Sequence, residues 1–165
     1  MYSSDPLPAP YTDLGMAYNI AVRVFQPTDP SIKFDIIEQG VFTPDSYWSQ
    51  DANGLRTLKM TRSGTSGALR FLCEKTGENF VITLGVHNYH PWGDLLAGLG
   101  NKESASDTLR SYYRPQYGGT GNPERVSIVA QTSKSVTHNG RTYSFVFTVT
   151  SGNDLDVDVK ITPQY

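Results

Sequence analysis

LDVDVKIT, residues 155–162, sets Leu155, Val157, Val159 and Ile161 against Asp156, Asp158 and Lys160 in strict alternation. That is the period-two pattern of a strand with one dry face and one wet face. Just upstream, RTYSFVFTVT (residues 141–150) places Tyr143, Phe145, Phe147 and Val149 on one side. The His138-Asn139-Gly140 before it is a hairpin signal, because Asn-Gly readily takes the positive φ angles of a two-residue turn. At the front of the chain, YNIAVRVF (residues 18–25) alternates in the same way, with Tyr18, Ile20, Val22 and Val24 on one face. Further strands are expected at 32–38, 55–60, 68–74, 79–87 and 125–136, punctuated by Gly, Pro and Asn-rich turns. Between them, FTPDSYWSQDANG (residues 42–54) reads as a loop whose Trp48 anchors on the core.

Two segments break the alternation. Trp92, Leu95, Leu96 and Leu99 fall on one stripe of period 3.6, with Pro91 early and Gly100 as a stop, so a helix is expected there. A second, weaker helical segment is expected around residues 106–109, followed by an irregular loop, YRPQYGGTGNPE. Strands on both sides of a short helix-loop-helix segment predict a mainly β fold, an antiparallel two-sheet β-sandwich. Residues 1–17, with three prolines and little periodicity, read as an irregular N-terminal arm; residues 18–165 read as a single domain.

A net charge of −2 argues against a nucleic-acid groove or a polybasic membrane patch, both of which need concentrated Lys and Arg. The single cysteine, Cys73, keeps strand phase with Leu69 and Phe71 and reads as a buried small hydrophobe. No basic segment followed by an apolar run opens the chain, and no stretch reaches membrane-spanning length, so a cytoplasmic protein is expected.

The chemistry concentrates in two stretches, SGTSGALRF (residues 63–71) and GVHNYHPWGD (residues 85–94). Residues 63–67 are small and hydroxyl-rich, and let a ligand approach bare backbone. His87 and Asn88 add directional donors and acceptors at a strand end. The short connection at residues 75–78 predicts a hairpin, which brings the start of the first stretch beside His87-Asn88. Neutral hydrogen-bonding groups of this kind suit a polyhydroxylated ligand such as a sugar. The alternative is that the first stretch merely turns the chain and His87-Asn88 caps a strand.

Catalytic readings fare worse. His87, His90 and Asp94 are interrupted by Pro91 and joined by no further ligand cluster, so no metal and no cofactor is expected. Ser63 or Ser66 with His87 and Asp94 would make a hydrolytic set, but SGTSG is not the nucleophile elbow and precedes a strand where that elbow precedes a helix. Asp156 and Asp158 lie on a solvated strand face and do not form the paired carboxylates of glycoside cleavage. A binding module is expected, not an enzyme.

SGTSGALRF followed by NFVITLGVHNYHPWGDL resembles the signature of the fungal fruit-body lectins. The likeness extends from AVRVFQ at the front to NGRTYSFVFTVTSGNDLDVDVKI at the back. The resemblance implies an actinoporin-like sandwich and partners that are glycans and glycoproteins. It implies binding of the T-antigen disaccharide Gal-β1,3-GalNAc at one site and terminal N-acetylglucosamine at another, a homo-oligomer, no secretion, and a part in fungal defence. The first site would fall on Ser63, Gly64, His87 and Asn88, with Thr43 or Pro44 as a further small residue. The second would fall on Asp94 and Leu95, with Arg125 or Arg114 in place of a family arginine, Ala97 where the family has threonine, and Ser133 near a family tyrosine. The competing implication is an actinoporin-like membrane-acting toxin; the lack of a basic amphipathic N-terminal helix favours the lectin and no membrane insertion.

Overall fold

The computed structural model describes residues 16–100, 103–128 and 130–163. All but the last two residues of the expected N-terminal arm lie outside them. Among the described residues ten strands form two sheets. In the six-stranded sheet the order is β3 (Tyr47–Gln50), β4 (Arg56–Met60), β1 (Tyr18–Phe25), β10 (Asp154–Ile161), β9 (Arg141–Val149) and β8 (Ser133–His138). In the four-stranded sheet it is β2 (Asp35–Val41), β5 (Thr65–Leu72), β6 (Asn79–His87) and β7 (His90–Ala97). Neighbours are antiparallel apart from β1 and β10, which run parallel with Ile20 opposite Leu155 and Val24 opposite Val159. The two-sheet sandwich expected from the alternation is therefore observed, with this one parallel seam where the first and last strands meet.

The alternating residues do what their period predicts. Tyr18, Ile20 and Val22 of β1, Tyr143, Phe145 and Phe147 of β9, and Leu155, Val157, Val159 and Ile161 of β10 are all buried. They meet Leu69, Phe71, Phe80, Ile82 and Leu84 from the other sheet in one apolar core. Cys73 is free and buried, as its phase implied. Trp48 is an anchor: its indole N–H donates to Gly40 O at 2.9 Å. Its segment, however, is a strand (β3) pairing with β4, not a loop.

The four-stranded sheet is covered on both faces, and this explains the largest departure from expectation. Residues 92–99 do not begin a helix; residues 90–97 form β7, paired with β6 from Phe80 opposite Ala97 to His87 opposite His90. Leu95 faces the opposite sheet in the core, while Trp92 and Asp94 lie on the other face beneath the connecting segment. A strand buried on both sides reads as a nearly continuous apolar run, and such a run can match a helical stripe by chance. The expected helix at 106–109 is present as α1 (Ala105–Arg110), capped by Ser104, whose Oγ accepts from Asp107 N at 2.9 Å. Ala105 and Leu109 of α1 pack on Ala68 and Val81 of the sheet. A short 3-10 helix, Pro115–Tyr117, completes the connection. Residues 125–136 are a strand only from Ser133 onward; turns precede it.

At the end of the sandwich away from the β6–β7 turn, Arg141 is 1% exposed. Its guanidinium donates to Glu78 Oε1 at 2.9 Å, to Glu78 Oε2 at 3.3 Å and to Thr162 O at 2.7 Å. Phe34 lies 5.7 Å beneath it.

Candidate functional site

The register of β5 against β6 sets Thr65 opposite Val86, so residues 63–64 lie alongside His87-Asn88. Gly64 N donates to Val86 O at 2.7 Å, and the Tyr89 amide donates to Ser63 Oγ at 3.0 Å. The two stretches separated in sequence thus meet in one place. Gly64 has φ +87°, a conformation that side chains rarely adopt, and a Cβ built there would meet nothing within 4 Å. Glycine is required by the backbone, and the space above it is open.

His87 ends β6, and Asn88-Tyr89 makes the two-residue turn into β7 with φ 47° and 67°. Both values are positive, as in the turn type that fits the strand twist, and asparagine tolerates them well. This turn holds the His87 ring and the Asn88 carboxamide out at the sheet end. Both residues are exposed, and neither side chain has a hydrogen-bond partner among the described residues. Thr43, one of two candidates for a further small residue, bonds Thr65 Oγ1 at 2.8 Å and Ser46 Oγ at 2.9 Å. It braces the start of β5.

A cavity of about 310 Å³ adjoins these groups. Gly64, Val86 and His87 form one side of it. The other side comes from Trp92 and from the connecting segment, through Tyr112, Tyr113, Arg114, Tyr117, Val126 and Ile128. These segment residues were not singled out in the sequence for this site, although the aromatic run YYRPQY was a signal. Tyr113 stacks on Phe42 with ring centroids 3.4 Å apart and shares a short hydrogen bond with Ser66 Oγ. Burial pushes its hydroxyl up to about 12. It remains a neutral donor and acceptor at any physiological pH.

Asp94 is 1% exposed. Tyr112 Oη donates to its Oδ2 at 2.6 Å; Lys134 Nζ and Gln131 Nε2 donate to its Oδ1 at 2.6 and 3.3 Å. Burial first, and the Asp94 charge second, raise the Tyr112 hydroxyl far above its ordinary value, so it stays a donor. The Arg125 guanidinium lies over the Tyr112 ring, 6.0 Å from its centroid, with Nη1 donating to Ser111 Oγ at 2.8 Å. The structure therefore places Asp94 and Arg125 around one tyrosine but separates Leu95, which points into the core. Asp94 is a strand residue and does not sit in the first turn of a helix. Ala97 also packs toward the core.

Among the described residues no group of three or more His, Cys, Asp or Glu side chains is placed to hold a metal ion.

Comparison with known proteins agrees with this fold. A family model described as "Fungal fruit body lectin" matches residues 16–159. The Boletus edulis lectin is 36% identical over 146 residues, covering 87% of this chain and 98% of that protein. The crystal structure of wild-type Xerocomus chrysenteron lectin is 36% identical, covers 89% of this chain and 100% of that one, and superposes with a TM-score of 0.78. The lipid binding protein Nakanori shares the fold alone, at 9% identity and a TM-score of 0.57 over 90% of this chain and 73% of its own.

Proposed function

The chain belongs to the fungal fruit body lectin family, and we propose that it binds Gal/GalNAc-containing glycans, the disaccharide Gal-β1,3-GalNAc above all, through Ser63, Gly64, His87 and Asn88. The observation that carries this reading is the pair of polar side chains, His87 and Asn88, exposed and without hydrogen-bond partners among the described residues, beside the open backbone of Gly64. Hydroxyls of a sugar edge supply the missing partners, and the aromatic cavity wall offers an apolar ring face a surface. No catalytic step is part of this proposal. Because the Asp94 carboxylate is held by its own chain, terminal N-acetylglucosamine is proposed as a much weaker ligand than the disaccharide.

Calorimetric titration of Gal-β1,3-GalNAc tests the assignment. His87→Ala and Asn88→Ala are each expected to lose about 1 to 3 kcal/mol of binding. The melting temperature is expected to stay unchanged in His87→Ala, an exposed site, and to drop slightly in Asn88→Ala, because alanine is less at ease than asparagine at φ 47°. Undiminished binding in both folded variants would place the site elsewhere.

The protein is also proposed to act as a homo-oligomer, in which weak single sites gain avidity by repetition. Light scattering is expected to give a mass of at least two chains, together with agglutination of cells bearing the disaccharide. A monomer across a wide concentration range, with no agglutination, would reject this.

A further inference from the structure

We propose that the cavity beside Gly64 and His87 is a subsite for an anionic extension of the glycan, a carboxylated or sulfated sugar unit next to the Gal/GalNAc unit, with the Arg114 guanidinium as its charge partner. This inference rests on the Gal/GalNAc reading of the adjoining residues.

The volume, about 310 Å³, reaches the range of roughly 300–1,000 Å³ typical of small-molecule sites. Among the described residues the charges lining it have one sign: Arg114 is present, and neither Asp nor Glu is. The nearest buried carboxylate, Asp94, lies behind Tyr112 and is paired with Lys134 at 2.6 Å.

Arg114 is also uncommitted. Its neighbours in the segment are engaged, Arg110 on Gly118 O at 3.4 Å and Arg125 on Ser111 Oγ at 2.8 Å. The Arg114 guanidinium has no hydrogen bond or ion pair among the described residues. Its backbone, in contrast, is fixed, because Arg114 O accepts from Tyr117 N at 2.9 Å and from Gly119 N at 3.2 Å. A planar guanidinium on a fixed backbone is suited to the two-pronged hydrogen bonding that carboxylates and sulfates offer. Tyr117, 69% exposed, and the indole of Trp92 complete the subsite with aromatic surface for the sugar ring.

The test compares four probes by titration at low salt: Gal-β1,3-GalNAc, the same disaccharide carrying sialic acid, the same carrying a sulfate ester, and a neutral trisaccharide of the sialylated probe's size. At least one anionic probe is expected to bind about tenfold more tightly than the parent, and which one gains tells carboxylate from sulfate. Arg114→Gln is expected to abolish the gain, so that parent and anionic probes bind alike, and raised salt is expected to shrink it. A gain as large for the neutral trisaccharide, a gain that survives in Arg114→Gln, or no gain with either anion overturns the inference while leaving the disaccharide site intact. Failure of the parent disaccharide itself to bind overturns the Gal/GalNAc reading and this inference with it.

Discussion

Arg141→Met is expected to destabilise the protein by about 3 to 5 kcal/mol, because it leaves a carboxylate unpaired in a nearly dry setting. The side chains of Arg141 and Glu78 are only 2% and 8% exposed. Their two-pronged contact ties the turn before β6 to the first residue of β9, and the third bond, to Thr162 O, ties in the end of β10. Methionine keeps much of the volume over Phe34 but donates nothing. Urea denaturation measures the loss; a change below about 1 kcal/mol would put the pair in the class of solvent-exposed ion pairs. Replacing both partners, Arg141→Met with Glu78→Leu, is expected to recover much of the loss, since no charge is then stranded.

The same pair predicts a pH dependence. Burial works to raise the Glu78 carboxyl, but the Arg141 guanidinium and the hydroxyls of Thr76 and Tyr143 together outweigh it and hold the group below its ordinary 4.5. As pH falls, the unfolded chain takes up this proton before the folded one does. The contribution to stability is thus complete above about pH 4.5 and is lost as pH falls through the folded value. The stability gap between the native protein and Glu78→Gln is expected to be constant near neutrality and to narrow below pH 4.5.

Arg141 also shows how far such features can be read from sequence. It is in phase with Tyr143, Phe145 and Phe147, so the alternation already placed a charge on the dry face of β9; only the partner, 63 residues away, was out of reach. Where one face is dry and one wet, as in β1, β9 and β10, period two was decisive. It failed for β7, because α1 and the tyrosine-rich segment dry the second face of that sheet and erase the alternation. The first half of the site was legible because turn chemistry at residues 63–67 and at Asn88 is local, and one hairpin fixes their meeting. The cavity wall was not, since Arg114, Tyr117, Val126 and Ile128 come from turns with no period to read, and their placement depends on tertiary packing. Asp94 was singled out in the sequence but placed in an expected helix, for its surroundings depend on whether residues 90–97 form a strand or a helix.

That placement determines what Asp94→Ala does. Its carboxylate holds Tyr112 from the connecting segment and both Lys134 and Gln131 from the stretch entering β8. Alanine would remove the carboxylate that accepts from the Tyr112 hydroxyl and leave the Lys134 ammonium without its counter-ion. Loss is expected toward the lower end of about 3 to 5 kcal/mol, because the Lys134 side chain is 31% exposed and can turn to water. Asp94→Asn, which keeps an acceptor for Tyr112, is expected to lose less. Binding should follow a different order from stability. With three donors already on the carboxylate, and with Leu95 and Ala97 turned into the core, N-acetylglucosamine is expected to show no saturable binding at concentrations that saturate the site with Gal-β1,3-GalNAc. The Asp94→Asn protein should bind the disaccharide normally. Independent N-acetylglucosamine binding that disappears in Asp94→Asn would show instead that Lys134 and Gln131 yield the carboxylate to the sugar. The enclosed cluster would then be the closed form of a second site.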